Sequence, residues 1–296
     1  MAIDFYFAGS QAIETEELMV TLNANVLKSY INDKNNILKW FEYKKNGWKG
    51  KLIIDNGAFT IHRKGGIIDI DKYIAWLNEN DEYIDYAIAL DDIPGKWGQP
   101  KTAEDVLNSP IKTWENYIYM VKHLKSPHKI LPVFHMGENF NHLENMLESP
   151  ELKSDYICLS GNKELTNAQR EAWYTKCFHI IKNSNRPDIK THCLGSATMQ
   201  NAEKFPFTSM DATSWIMNGA NGNIFTRYGT VYVGDGGKSL TADEQKIVKE
   251  LLDKYGLDFA DIENYKVRML FNIYYLHEKS LSVEFKGLSA SARRLF

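Results

Sequence analysis

The 296-residue sequence has few cysteines, no long apolar run and little net charge. Cys158, Cys177 and Cys193 are an odd number at wide spacings, a pattern that predicts neither a disulfide framework nor a four-ligand zinc site. No apolar stretch approaches the roughly 18 residues that a membrane crossing requires. The opening residues, MAIDFYFAGSQ, have neither the basic region nor the long apolar stretch of a signal peptide. We therefore expect reduced thiols, no metal, no membrane contact and a cytoplasmic location.

The formal net charge of -3 argues against a protein that binds nucleic acid mainly by bulk electrostatics. It leaves room for a local basic surface. Hydrophobic residues make up 44% of the chain and aromatic residues 12%, which is enough to bury one large core. The length fits one barrel-sized domain or two ordinary domains.

Short runs of β-branched and aromatic residues alternate along the chain with amphipathic stretches. This alternation predicts an α/β fold with a parallel sheet covered by helices. Eight runs are present, the number that closes a (β/α)8 barrel of the TIM type. The predicted strands are Phe5–Ala8, Leu52–Asp55, Tyr86–Asp91, Ile130–His135, Tyr156–Ser160, Thr191–Gly195, Ser209–Asp211 and Thr230–Val233.

Amphipathic stretches between these runs predict the outer helices of the barrel. The segment IMNGANGNIFTRYG has no helical period and is rich in Gly and Asn, so it predicts a loop before the last strand. We expect the barrel to occupy residues 1–240 and a C-terminal helical segment, residues 241–296, to pack on it. The predicted helices are Glu16–Tyr43 with a break near Asn35, Asp71–Asn78, Ser109–Leu124, Phe140–Leu147, Asn167–Asn183, Thr241–Tyr255 and Ile262–Lys279.

Polar residues follow most of the predicted strands. In a (β/α)8 barrel the carboxyl ends of the strands meet at one mouth, where the active sites of such enzymes lie. Convergent carboxylates suit chemistry at an anomeric carbon, since one attacks the sugar while another transfers protons. Helix or turn capping by these aspartates, and the metal-dependent lyases and aldolases built on barrels, fit the spacing too. The strand-end candidates are Asp55, Asn56, Asp91, Asp92, His135, Ser160, Asn162, Ser196 and Asp211.

Five segments that contain these residues, taken in order, resemble a known family. IIDNGAF, ALDDIPG, PVFHMGE, CLSGNKE and HCLGSATMQNAEKFPFTSMDATSW are similar to signature segments of the tRNA-guanine transglycosylases. The similarity is greatest to the phage branch that inserts 7-deazaguanine bases such as preQ0 into DNA, which would place the protein in the host cytoplasm. It covers roughly residues 50–216, with a fainter match in NYKVRMLFNIYYLHE.

The resemblance implies two catalytic residues. Asp211 matches the nucleophile that attacks C1′ of a guanine nucleotide, expels guanine and holds the sugar until the new base arrives. Asp55 matches the general acid and base. Asn56 and Ala58 replace two small residues of the family's segment, a departure that leaves the carboxylate in place.

The resemblance also implies a base pocket. Asp91 matches the aspartate that reads the guanine edge, with the adjacent Asp92 as the alternative reader, because a carboxylate accepts hydrogen bonds from N1–H and the exocyclic amine together. His135 falls where the tRNA enzymes usually have glutamine. A flipped-out base would stack on one mouth aromatic residue, and Phe59 is a candidate. The remaining candidates in the pocket are Gly161, Asn162, Gly195 and Ser196.

One departure from the family concerns metal. The zinc-containing tRNA enzymes carry a C-x-C-x-x-C cluster and a histidine after the barrel, whereas here no cysteine follows Cys193 and His277 stands alone. The zinc subdomain is therefore expected to be missing, and no cofactor is expected. Because that module supports tRNA recognition in the family, its loss favours double-stranded DNA as partner, with exchange on tRNA as the alternative.

Three basic residues near the expected mouth are candidates for phosphate binding: Arg227, Lys238 and Lys96. A solvated surface role fits each of them equally well. Two other classes of protein stay open. A barrel aldolase or isomerase would require a metal or a strand-end lysine, and no predicted strand ends in lysine. A catalytically silent barrel that only binds DNA or a protein would not require Asp211.

Overall fold

The computed structural model describes residues 2–9, 12–162, 165–195 and 198–287. Within these ranges the strands are β1 (Asp4–Ala8), β2 (Asn25–Ser29), β3 (Leu52–Asp55), β4 (Tyr86–Ile88), β5 (Ile130–Leu131), β6 (Val133–His135), β7 (Tyr156–Ser160), β8 (Lys190–Leu194), β9 (Ser209–Ala212), β10 (Asn223–Thr226) and β11 (Gly229–Tyr232). The α-helices are α1 (Ile13–Thr21), α2 (Lys34–Lys45), α3 (Ala58–Arg63), α4 (Ile70–Glu79), α5 (Ala103–His123), α6 (Phe140–Glu148), α7 (Asn167–Asn183), α8 (Met199–Lys204), α9 (Ser214–Ala220), α10 (Ala242–Asp253) and α11 (Tyr265–Ser282). Short 3₁₀ turns cover Asp81–Tyr83, Pro127–Lys129 and Phe259–Asp261.

The first nine strands form one parallel sheet in the order β5-β4-β3-β2-β1-β9-β8-β7-β6. Its two end strands, β5 and β6, are consecutive in the chain and separated only by Pro132, which lacks the N–H that a sheet ladder needs. They act as two halves of one strand, the first paired with β4 and the second with β7. The sheet therefore closes on itself at eight strand positions, and the predicted (β/α)8 barrel is confirmed.

Alternate residues of the barrel strands point to opposite faces, and both faces are buried. The outward residues pack under the helices; Phe7, Val26 and Ile54 are examples, each wholly buried. The inward residues fill the interior of the barrel, which is therefore a packed core rather than a channel. The buried members of this interior cluster are Tyr6, Ala8, Leu27, Ile53, Ile88, Leu131, Val133, Tyr156 and Cys158.

Three of the sequence expectations for the fold are wrong. The segment IMNGANGNIFTRYG, predicted to be a loop, contains the end of α9 and the whole of β10, which has an antiparallel partner in β11. The helix predicted over Glu16–Tyr43 contains the second barrel strand, β2, between α1 and α2. Asn23, two residues after the end of α1, has a left-handed φ of 50°. Inside β2, Lys28 interrupts the apolar run that marks a buried strand, although its side chain is fully buried and its ammonium donates to the Gly9 carbonyl at 2.7 Å. Because of this polar residue, the sequence lacks the continuous apolar run by which a buried strand is recognised.

The strand predicted at Thr230–Val233 is not part of the barrel. Most of it forms β11, which pairs antiparallel with β10 in a separate hairpin. The place of the eighth strand is taken by β2. The hairpin packs on α11 instead, where Asn272 Oδ1 accepts the Phe225 N–H at 2.9 Å.

Helix α11 completes the outer layer of the barrel. It packs on α9, α1 and β1, so it fills the space between the last and the first helix of the ring. Lys266 in its first turn donates to Glu14 of α1 at 2.9 Å, and the carbonyl of Ser280 near its end accepts the Ile3 N–H at 3.0 Å. The C-terminal segment is thereby fastened to the residue before β1 and to the first turn of α1. The proposed boundary at residue 240 stays a prediction.

None of the helices in the described part of the chain combines the length and the apolar character that a membrane crossing requires.

Candidate active site

Three aspartates lie at the carboxyl ends of the barrel strands. Asp55 ends β3, Asp91 follows β4, and Asp211 lies in β9. Burial and then the charges of Asp211, Asp91 and Asp55 raise the pKa of the Cys158 thiol in the barrel interior well above its ordinary value, so all three carboxylates lie near this thiol. The sequence predicted that these carboxylates converge, and the structure brings them together at the barrel mouth.

Asp55 is the carboxylate with the most strongly altered acidity. Burial, assisted by the negative charges of Asp91 and Asp211, raises its pKa to about 7. One contact opposes this shift: the Gly57 N–H donates to Asp55 Oδ2 at 3.1 Å. At neutral pH the Asp55 carboxyl is therefore protonated in part of the molecules, which is the state that an acid and base of the same reaction needs.

The turn after Asp55 depends on Gly57. This residue has a φ of +83°, in the left-handed region that glycine adopts without strain. A Cβ on Gly57 would lie 2.7 Å from Ile31 Cβ, so a side chain also has no room there. The turn places the Gly57 N–H against the Asp55 carboxylate.

Asp91 is held by donors on both of its oxygens. Asn56 Nδ2 donates to Oδ1 at 3.0 Å and His135 Nε2 to Oδ2 at 2.8 Å. Burial favours the neutral acid, but the bonds from His135 and Asn56 outweigh it, and the pKa of Asp91 lies below its ordinary value. The same Asn56 amide donates to the Ala89 carbonyl at 2.7 Å, which fixes its orientation. Asp91 is thus an anion beside an Asp55 that is protonated in part of the molecules.

His135 is clamped between two acidic side chains. Its Nε2 donates to Asp91, and its Nδ1 lies 2.8 Å from Glu138 Oε1. Burial disfavours the imidazolium, but the bonds and charges of Asp91 and Glu138 prevail and raise the pKa of His135 to about 10. Both ring nitrogens are engaged, so His135 orients Asp91 in this structure. Its sequence-based role as a base-edge reader stays a prediction.

Asp211 is held through one of its two oxygens. The Gly195 N–H donates to Oδ1 at 2.8 Å, and His192 Nε2 lies 3.3 Å from the same atom. Gly195 ends the neighbouring strand with a φ of +70°, a conformation that favours glycine and points its N–H at the carboxylate. Asp211 itself is only 6% exposed. Among the described residues no hydrogen bond engages Oδ2.

Asp92, the alternative edge reader, faces away from the three carboxylates. Its backbone N–H donates to Thr113 Oγ1 of α5 at 2.9 Å, and its carboxylate lies 4.0 Å from Lys112. It lines a polar cleft of ≈ 300 Å³ beside α5, outside the barrel. Of the two neighbouring aspartates, Asp91 is the one that the fold directs into the mouth.

Phe59 lies on the rim of the site, in α3 directly after the Asp55 turn. It is 57% exposed and meets the exposed Trp97 ring edge to face, with centroids 5.6 Å apart. The Arg63 guanidinium lies 5.2 Å from the Trp97 ring centroid. Lys96, next to Trp97, is exposed. Aromatic faces and cations therefore share this side of the mouth, as single-stranded nucleic-acid surfaces commonly have them.

The other two basic candidates lie elsewhere. Arg227 is in the turn of the hairpin with its guanidinium 4.7 Å from the ring centroid of Tyr228. Lys238 follows the hairpin and donates to Glu263 at 3.1 Å. Neither contact involves the three carboxylates, and the role of both cations in phosphate binding stays a prediction.

Gly161 and Asn162 directly follow β7 and are partly buried. The Asn162 carbonyl accepts a hydrogen bond from Arg170 at 3.3 Å, which ties the loop to α7. Ser196 lies outside the described residues. In the described part of the chain, no group of three or more His, Cys, Asp or Glu side chains is arranged to hold a metal ion.

The sequence did not point to two residues of the site. Glu138 follows His135 by three positions in PVFHMGE, but a glutamate in a loop has many other uses. His192 lies in β8, whose sequence is KTHCL, and its signal in the sequence is the period of two that places it on the same face as Leu194.

No family model and no curated protein matches this chain. Among solved structures, it is similar to the carboxyl transferase domain of Rhizobium etli pyruvate carboxylase with pyruvate, with a TM-score of 0.44 and 10% identity over 97% of this chain and 50% of that chain. The same domain with 3-hydroxypyruvate gives a TM-score of 0.43 and 11% identity over 92% of this chain and 44% of that chain. The chain spans about half the length of these solved chains, and a likeness at this level bears on neither substrate nor reaction.

Proposed function

We propose that the protein is a transglycosylase that exchanges guanine in DNA for a 7-deazaguanine base through a covalent intermediate on Asp211. One observation carries the proposal: three largely buried carboxylates share the mouth of the barrel, and the environments of Asp55 and Asp91 push the acidities of these two apart. Asp55 has a pKa of about 7, while Asp91 is an anion. Chemistry at a glycosidic carbon requires a protonated carboxyl group as the acid and a second carboxylate as the nucleophile, and Asp55 supplies the acid beside Asp211.

The first half of the reaction breaks the bond between C1′ and N9. Asp211 attacks C1′ with a carboxylate oxygen, and the electron pair of the broken bond leaves with guanine. Protonated Asp55 supplies the proton that neutralises the departing base. The deoxyribose is then an ester of Asp211, and Asp55 is a carboxylate.

The second half reverses these steps with the new base. The Asp55 carboxylate takes the N9 proton of the incoming 7-deazaguanine, whose N9 attacks C1′ and displaces Asp211. Asp55 ends protonated and Asp211 ends as a carboxylate, so no proton is gained or lost. A pKa near neutrality lets Asp55 serve in both directions.

Asp91 is the group proposed to read the base edge. A carboxylate has about four acceptor sites, and Asn56 and His135 occupy one on each oxygen of Asp91. Both oxygens keep a lone pair for N1–H and the exocyclic amine of guanine. The clamp between Asn56 and His135 fixes the plane of the carboxylate before a base arrives, so little order is lost on binding.

Guanine inside a duplex exposes neither C1′ nor its edge to a barrel mouth, so the nucleotide must be flipped out. Unstacking costs a few kcal/mol. Hydrogen bonds to Asp91 and stacking on Phe59 or Trp97 would offset this cost, and both rings are exposed beside the mouth.

The test is incubation of the purified protein with duplex DNA, and separately with tRNA, together with preQ0, followed by mass spectrometry of the nucleosides. We expect a modified deoxynucleoside with the wild-type protein and none with Asp211→Asn. Asp92→Asn is the matched control, since it removes a neighbouring carboxylate that faces α5, and it should keep its activity. Modification confined to tRNA would replace DNA by tRNA as substrate. Product formation by Asp211→Asn would remove Asp211 as the nucleophile.

A further inference from the structure

His192 lies inside the barrel, immediately below the Asp211 carboxylate. It is on β8 and fully buried. Its Nδ1 is 2.5 Å from Ser209 Oγ, and the same oxygen makes a short hydrogen bond with the Tyr156 hydroxyl. Its Nε2 is 3.3 Å from Asp211 Oδ1, outside hydrogen-bond angles, and has no other partner in the described part of the chain.

The hydrogen bonds below His192 decide which nitrogen carries the proton. If Tyr156 donates to Ser209 and Ser209 donates to Nδ1, every hydroxyl proton has an acceptor and the imidazole proton is on Nε2. The opposite tautomer would set the Nε2 lone pair against the Asp211 carboxylate in a dry interior, where such repulsion is costly. The arrangement therefore favours an N–H on Nε2 that faces Asp211.

The two described groups next to the Asp211 carboxylate face the same carboxylate oxygen. The Gly195 N–H binds Oδ1, and His192 Nε2 faces Oδ1 as well. No described residue donates to Oδ2. The carboxylate thus has one oxygen held by the protein and one left for the substrate, and a small rotation of Asp211 brings Nε2–H into line with Oδ1.

We propose that His192 is the positioning residue of Asp211: its Nε2–H, fixed by Ser209 and Tyr156, holds Oδ1 so that Oδ2 meets the sugar carbon. The role rests on the proposed function. In the second half-reaction Asp211 is the leaving group, and the same N–H stabilises the carboxylate charge that returns as the ester bond breaks. His192 touches neither base nor sugar in this role, so it acts on turnover rather than on binding.

Two substitutions of His192 separate positioning from packing. Glutamine carries its amide nitrogen at the ε position and retains a donor toward Asp211, whereas asparagine places its amide at the δ position, near Ser209. Removal of one preorganised donor typically costs about 100-fold in kcat. For His192→Asn we expect a loss of that size with KM for the base and for DNA unchanged, and for His192→Gln a loss below about tenfold. Equal kcat values for the two folded variants would overturn the role.

A second measurement does not depend on the reaction. In ¹⁵N-histidine NMR spectra, with the His192 signals assigned from His192→Gln, we expect the proton on Nε2 and a shift of the Nε2 resonance in Asp211→Ala. A proton on Nδ1 would overturn the pairing. An Nε2 chemical shift that is the same in the wild-type protein and in Asp211→Ala would overturn it too. If the wild-type protein exchanges no base in DNA or tRNA, the proposed function fails while the NMR result still decides whether His192 and Asp211 are paired.

Discussion

Asp91 Oδ2 and His135 Nε2 lie 2.8 Å apart, and Glu138 lies at the same distance from the other ring nitrogen. The pKa of His135 is about 10, above the value of about 6.5 in an unfolded chain, so the folded protein holds a proton that the unfolded chain releases. This stabilisation is complete below pH ~6.5 and is lost as the pH rises through about 10. His135→Gln should therefore lower the free energy of unfolding at pH 7 by about 2 kcal/mol, as expected for carboxylates left without their cation.

Thermal unfolding from pH 6 to pH 10.5 checks this prediction. The wild-type protein should lose stability over that range, and His135→Gln should show a flatter profile. Lys45→Gln is the control, because its ion pair with Glu42 is exposed on a helix surface and should leave the unfolding temperature unchanged. Parallel pH profiles for wild type and His135→Gln would mean that the ring is neutral.

Asp55→Asn should stabilise the fold while it abolishes base exchange. The pKa of Asp55 is raised to about 7, so its contribution to stability is present below its unfolded value of about 3.9 and is lost as the pH rises through 7. Above that pH the wild-type protein carries a buried charge that asparagine lacks. We expect Asp55→Asn to gain on the order of 2 kcal/mol at pH 8 and nothing at pH 4, measured by urea unfolding. A lower stability of the variant at pH 8 would contradict the assignment.

The departure of guanine should depend on pH in one direction. Protonated Asp55 is the proposed acid, and its pKa of about 7 means that the acid form disappears as the pH rises through neutrality. In a single turnover with guanine-labelled DNA, the rate of base release should fall about tenfold for each pH unit above 7 and level off below it. A release rate that rises with pH would assign Asp55 to base chemistry alone.

Gly195→Ala should weaken catalysis more than stability. Its φ of +70° strains any other residue by about 1 kcal/mol, and relief of that strain moves the N–H away from Asp211 Oδ1. A Cβ at this position meets no atom within 4 Å, so packing is not disturbed. We expect kcat to fall at least about tenfold. Gly65→Ala is the matched control: its φ is +68°, its surroundings are equally open and it lies after α3, so it should lose a similar stability and no activity.

Much of the fold follows from local sequence signals. The helix predicted over Asn167–Asn183 is found with the same bounds, because Thr166 and Gln169 form a capping box at its start. Helix α5 begins at Ala103 instead of Ser109, since the capping pair of Thr102 and Asp105 precedes Pro110 and the helix accommodates the proline. Where capping and period agree, the sequence is sufficient.

The missed strand shows what local signals cannot supply. β2 is a strand because β1 and β3 flank it, and Lys28 is tolerated there because it reaches the Gly9 carbonyl and lies 5.0 Å from the ring centroid of Trp40. Both conditions are tertiary. The hairpin strand β11 has the β-branched residues of a barrel strand. It nevertheless pairs with β10, an antiparallel partner that lies close to it in the chain, instead of joining the barrel sheet.

The candidate site, too, has one part that the sequence predicts and one part that it does not. Aspartates at strand ends are visible in the sequence, and the barrel brings Asp55, Asp91 and Asp211 to one place. The groups that set their acidity and orientation come from other strands and loops: His135 with Glu138 for Asp91, and His192 for Asp211. Which side chains meet depends on how the barrel strands are aligned with one another. The hydrophobic period and the composition of the sequence do not specify this alignment.

The position of β1 has a consequence for how the chain is made. β1 pairs with β9, with Asp4 opposite Ser209, and the segment before it is tied to Ser280 in the last described helix. Of the barrel strands, β1 leaves the ribosome first, and its second neighbour exists only after β9 (Ser209–Ala212) has been made. Until then one edge of the growing sheet is open, and open edges recruit other chains. Slow translation or removal of α11 should thus show itself first as aggregation of newly made protein.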